Sequence, residues 1–296
     1  MTHPQGVALM ITCTVMWSIS GIVTRQLEQA DGFEVGFWRS LFTALALLPL
    51  LGWLRGPAAV MHDVRNGGGA LWSSSVCWAV MFTAFMLALT MTTVANVLVT
   101  LSLTPLLTAV VARYAIGHRL ARRTLVAIVL AAAGIAWMYG SELSGASPRH
   151  LLGTAIALAV PLAAAVNWTV LQYAARSTSR SGDMLPAVLL GAALATIASL
   201  PLALPFAATP RDVAWLGMLG VVQLAIPCVL AVFVTRVLSA PEMSLFGLLE
   251  VVLGVSWVWL SGGETPSAAV LGGGGLVLAA LVLNEALGLR AARVAR

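Results

Sequence analysis

The sequence predicts an all-α membrane protein: ten transmembrane helices in two inverted five-helix repeats around a central cavity. Three observations predict it. Of 296 residues, 60% are hydrophobic and only 9% charged, against about 25% charged in a soluble domain, whose surface must face water. The apolar residues fall in long unbroken runs, close to the roughly 20 residues a helix needs to cross a hydrocarbon core. The later runs also echo the earlier ones at a constant offset. A mean hydropathy of +0.96 suits lipid as the solvent. A transmembrane barrel would instead show alternating segments of about 10 residues.

Read between charged or turn-rich breaks, the first five spans are Val7–Thr24, Phe33–Trp53, Ala70–Thr90, Thr93–Tyr114 and Thr124–Gly140. The second five are Leu151–Ala175, Met184–Phe206, Val213–Val237, Ala240–Ser261 and Ser267–Gly288. The first has no basic start and no small-residue cleavage site, so it reads as a retained helix rather than a removable signal. The third and fourth are nearly fused, with Met91-Thr92 as a very short turn.

Loop charge orients the bundle, because arginine and lysine accumulate on the cytoplasmic side. All 16 basic residues are arginine. With a cytoplasmic N-terminus, twelve fall in inside segments, Arg25, Arg149 and Arg211 fall outside, and Arg39 lies within the second span. Both chain ends are therefore expected in the cytoplasm of a bacterial-type inner membrane. The pI of about 9.9 reflects this topology and not nucleic-acid binding, since the arginines are spread over separate loops.

The repeat lies in residues 1–145 and 146–296. At an offset of 146, Thr104 falls on Glu250, Pro105 on Val251, Gly117 on Gly263 and His118 on Glu264; at 151, Trp17 falls on Trp168. Five spans is an odd number, so the second half starts on the other side of the membrane. Inverted halves place a site between them that can open either way.

Charges at membrane depth cost about 2.5–3.5 kcal/mol on insertion scales and call for a reason. Glu250 lies about ten residues into the ninth span and Arg39 about seven into the second. Glu250 could couple protons or bind a substrate amine, with Arg39 as partner of a carboxylate; alternatively the two are structural charges that fix helix packing. Asn96, Thr100, Thr104 and Thr108 are spaced by four on one stripe of the fourth span. Such a stripe lines a watery cavity or hydrogen-bonds neighbouring helices. Trp17 with Ser20, Trp78, and Asn167-Trp168 with Gln172 add aromatic and amide groups deep in their spans. Apolar walls with a few placed polar groups suit a small zwitterion with an apolar side chain. Trp53, Trp72 and Trp215 fit the interfacial belt.

Pro105, Pro161 and Pro227 interrupt helices as candidate hinges or static kinks, since each removes an N–H and frees the carbonyl four residues earlier. Pro227 frees that of Gln223, which joins the candidate binding residues. Gly272–Gly275 permits close helix packing. Cys13, Cys77 and Cys228 read as small apolar fillers. The four histidines form no metal-type pair, so neither metal nor cofactor is expected.

"Leu103-Thr104-Pro105-Leu106" with "Gly117-His118-Arg119-Leu120" in the first half, and "Ser239-Ala240-Pro241-Glu242", "Leu249-Glu250" and "Gly263-Glu264-Thr265-Pro266" in the second, together with Trp17-Ser18 and Arg39, resemble the signatures of the drug/metabolite transporter superfamily in its ten-helix EamA-type branch. The resemblance covers nearly the whole chain. It departs at His118, where an acidic residue is usual, and at Val251, where proline is usual. It implies two five-helix bundles around a central cavity, usually in an exporter, and the nearest functional fit is export of aromatic and neutral amino acids of the YddG type.

An enzyme would need a nucleophile–base set or a metal cluster, and no HExxH, GxSxG, CxxC or paired intramembrane aspartate occurs. A small-molecule substrate and the bilayer are the expected partners of a monomer, without nucleic acid. Proton-coupled export of cationic drugs on Glu250 is the competing reading.

Overall fold

The structure, a computed structural model, describes residues 1–116, 122–142, 147–176, 183–238, 240–262 and 265–294. All regular structure in the described residues is helical. Each predicted span contains helix: α1 (His3–Thr24), α2 (Gly32–Arg55), α3 (Gly68–Met91), α4 (Val94–Ala115), α5 (Arg122–Glu142), α6 (Pro148–Ala175), α7 (Leu185–Ala203), α8 (Pro210–Val234), α9 (Glu242–Leu260) and α10 (Ala268–Val294). Eight of them are long and apolar enough to cross a bilayer, and Ala268–Ala280 is a shorter apolar stretch within α10. The chain is a multi-pass membrane protein. A short helix, Pro57–Asn66, joins α2 to α3. The motif residues Gly117 to Leu120, Ser239 and Gly263-Glu264 lie outside the described residues.

Side-chain contacts define two ends of the bundle. At one, the terminal face, His3 of α1 meets Glu242 of α9 (3.0 Å), and Asp183 before α7 is bridged by Arg55 and by Arg236 (3.0 Å). At the other, the far face, Asp31 pairs with Arg149 and Glu28 with Arg211 (2.7 Å). Asp212, fully buried, accepts from the backbone N–H of Glu28, Gln29, Ala30 and Thr209 at 2.8–3.2 Å. Four donors that the loop and helix end would otherwise leave unpaired thus converge on one carboxylate. Glu34 does the same for Ala207 and Ala208.

One large core gathers α1, α2, α3, α6, α7 and α8; a smaller one joins α5 and α10 to α4 and α9. The glycine run in α10 serves close packing, as expected. A Cβ on Gly134 of α5 would lie 2.7 Å from the Gly273 carbonyl, so the two backbones touch.

Candidate functional site

Five of the ten spans are not continuous α-helix. Regular α-helix stops and restarts at Ile19 in α1, at Ser102–Leu103 in α4, at Leu158 in α6 and at Gly247 in α9. In α8, Leu219–Ala225 widens into a π-helix, where the Ile226 N–H reaches back to Val221. A wide turn of this kind is the local answer to Pro227, which cannot donate to Gln223. In α4, Pro105 likewise cannot donate to Leu101, and the Thr104 hydroxyl takes that carbonyl instead at 2.6 Å. Pro161 lies just beyond the break at Leu158.

These interruptions surround a cavity of about 120 Å³, roughly ten times the space one water needs. Trp17, Arg39, Trp78, Trp168, Gln223 and Glu250 line it, as does Thr104 of the polar stripe. Discontinuous helices matter here because irregular backbone at membrane depth persists only where it faces a cavity or other protein.

Arg39 is fully buried. Its guanidinium donates to the Phe82 carbonyl (2.8 Å) and to Gln223 Oε1 (3.3 Å), and lies 6.0 and 5.8 Å from the Phe82 and Phe85 ring centroids. Gln223 in turn donates to the Trp17 carbonyl at 3.3 Å. Gly220, in the same π-helix, allows this approach: a Cβ there would stand 2.5 Å from the Arg39 carbonyl. Trp78 and Trp168 meet edge to face at 5.7 Å, and Trp78 leans on Phe82 at 5.4 Å. Glu250 opens the second half of α9, three residues past the break at Gly247. Among the described residues, no ion pair within 4.0 Å joins it to Arg39.

Ser20, Asn96, Thr100, Asn167 and Gln172 are buried but lie off the cavity. Ser74 donates to Asn167 (2.6 Å), Gln172 accepts from the Ala240 N–H (3.3 Å), and Thr100 bonds back to the Asn96 carbonyl (2.7 Å). Asn96 donates to Thr92 and to His150, both at 3.2 Å, at the far face. Met10, Met81, Phe82, Phe85 and Met243 line the cavity without having been singled out in the sequence, and Cys228, read there as an apolar filler, lines it too. A signal existed for three of them: Trp78, Met81, Phe82 and Phe85 follow the i, i+3, i+4, i+7 spacing of a single helix face. Among the described residues no cluster of His, Cys, Asp or Glu could hold a metal.

Residues 4–140 match the model of the EamA-like transporter family. No curated protein matches the sequence. Solved structures match the fold, among them one described as "Crystal structure of protein", with a TM-score of 0.66 and 17% identity over 97% of this chain and 98% of that one.

Proposed function

We propose that the chain is an inner-membrane transporter that exports small metabolites, above all aromatic and neutral amino acids, by alternating access between two inverted five-helix repeats. The match to the EamA-like transporter family supports transport. The observation that carries the substrate is the cavity itself, where a guanidinium and a carboxylate face an aromatic wall without being paired to each other. Such a site offers a partner to each charge of a zwitterion and an apolar surface to its side chain. The interruptions of α4 at Ser102–Leu103 and of α9 at Gly247, which nearly coincide at the offset of 146, support the repeat. Inverted repeats are expected to place broken helices at equivalent depths. The arginine bias supports cytoplasmic termini.

The second reading, export of cationic drugs, rests on Glu250 standing among aromatic side chains without, among the described residues, a salt bridge. Purified protein in liposomes separates the two. Counterflow of labelled phenylalanine or tryptophan, with no movement of a cationic dye, is the expected result. Dye movement alone would favour the second reading. Glu250→Gln, measured together with proton flux, then shows whether the carboxylate couples or merely binds.

A further inference from the structure

The cavity is not placed symmetrically between the two faces. Met10, Met243 and Ser244 come from the terminal-face halves of α1 and α9. Towards the far face the same helices close on one another. A Cβ on Gly21 of α1 would lie 2.5 Å from Val94 of α4, and one on Gly254 of α9 would lie 2.5 Å from Leu98 of α4. A Cβ on Gly153 of α6 would lie 2.5 Å from Met91. Every residue from Val94 to Thr100 is buried.

At the centre of this closure is the corner between α3 and α4, residues 91–93. Carbonyls at the end of a helix have no partner within it and attract cations. Here two arginines from different parts of the chain supply one. Arg25, at the end of α1, donates to the Leu89 and Thr92 carbonyls, both at 3.1 Å. Arg149, at the start of α6, donates to the Thr90 carbonyl at 3.2 Å while paired with Asp31. The His150 ring lies 3.2 Å from the Thr92 hydroxyl, which also meets Thr154 at 3.3 Å. Side chains of α1 and α6 therefore grip one corner from both sides, directly above a cavity that both helices line.

We infer that the α3–α4 corner is the latch of a gate at the far face, held shut by Arg25, Arg149 and His150. The inference rests on the transport reading for what would pass, but the gate can be tested without any substrate. Leu101 borders the cavity and is half-buried, so Leu101→Cys, in a chain whose three native cysteines are replaced by alanine, reports access. An impermeant thiol reagent is applied to sealed vesicles of either orientation. Labelling from the terminal-face side is expected to be about tenfold faster than from the far-face side. Arg25→Ala with His150→Ala is expected to raise far-side labelling about tenfold, since two-state gates respond to the loss of contacts made in one state only.

A second variant guards against misfolding. Gly21→Cys with Val94→Cys lies within disulfide reach. Its oxidation is expected to leave terminal-side labelling of Leu101→Cys unchanged and to keep the far side closed even when Arg25 and His150 are replaced. Equal labelling from both sides in the parent, or far-side labelling that persists after oxidation, would overturn the latch. A protein that labels as expected yet moves no solute would overturn the transport reading alone.

Discussion

The two halves of α4 make the sharpest contrast in the molecule. From Val94 to Thr100 every side chain is buried, and neighbouring glycines bring three other helices against it. Beyond the break at Ser102–Leu103 the same helix is loosely covered: Val110 and Val111 are half-buried and Tyr114 is 86% exposed. Polarity does not explain the difference, since both halves carry threonines. What differs is the means of closure. Both faces carry ion pairs that reach water, but the far face adds the buried carboxylates of Asp212 and Glu34, which together accept from six backbone N–H groups.

The strongest test of that contrast compares two aspartates. Asp212→Ala leaves four backbone donors without their acceptor at a fully buried position. The expected cost is about 3–5 kcal/mol, since each buried donor left without an acceptor costs about 1–3 kcal/mol and some of the four can find water. Asp183→Ala also removes a buried carboxylate, but its partners Arg55 and Arg236 have side chains 37% and 52% exposed and can rehydrate. About 1 kcal/mol is expected there. Thermal unfolding of the detergent-solubilised variants, followed by circular dichroism, ranks the two; equal losses would break the comparison.

Glycines give the next largest difference. Gly153→Ala places a Cβ 2.5 Å from the Met91 Cβ and 3.0 Å from the Met91 carbonyl carbon. Backbone cannot yield as a flexible side chain does, and overpacking of this kind costs about 1–3 kcal/mol. Gly247→Ala, at the break in α9, meets nothing closer than the Ser244 carbonyl at 3.1 Å. Gly153→Ala should lower the unfolding temperature and loosen the far face, seen as faster labelling of a cavity cysteine from that side. Gly247→Ala, with one backbone oxygen at 3.1 Å and no contact under 3.0 Å, should cost less and leave far-side labelling unchanged.

The membrane spans were legible because lipid leaves so few alternatives: a run of apolar residues long enough to cross it has to be helical. Trp17, Arg39, Trp78, Trp168, Gln223 and Glu250 were legible for a related reason, as large aromatic or polar groups are costly at that depth unless something receives them. The same reasoning could not separate cavity from corner. Asn96 and Thr100 are as polar, yet Asn96 donates to the Thr92 side chain and Thr100 bonds back within its own helix, both off the cavity. Met10 and Met243 escaped notice because an apolar side chain looks alike in sequence whether it faces lipid or a cavity. The breaks at Ile19 and Gly247 involve no proline within the interruption, and only tertiary packing reveals them.

A pair of threonines on α4 offers the finest test. Thr104 and Thr108 both bond back to carbonyls of their own helix, at 2.6 and 2.7 Å. The acceptors differ. Leu101, the partner of Thr104, has lost its usual donor because residue 105 is proline, so the hydroxyl is its replacement. Thr104 itself accepts an ordinary helical N–H from residue 108, and the Thr108 hydroxyl adds a second bond where one suffices. Replacing each by valine keeps the shape and removes the hydroxyl. Thr104→Val should cost about 1 kcal/mol and disturb the cavity wall at the break, whereas Thr108→Val should leave the unfolding temperature within error of the parent. If both variants behaved alike, the proline would not be what makes the break depend on a side chain, and the loose half of α4 would need another cause.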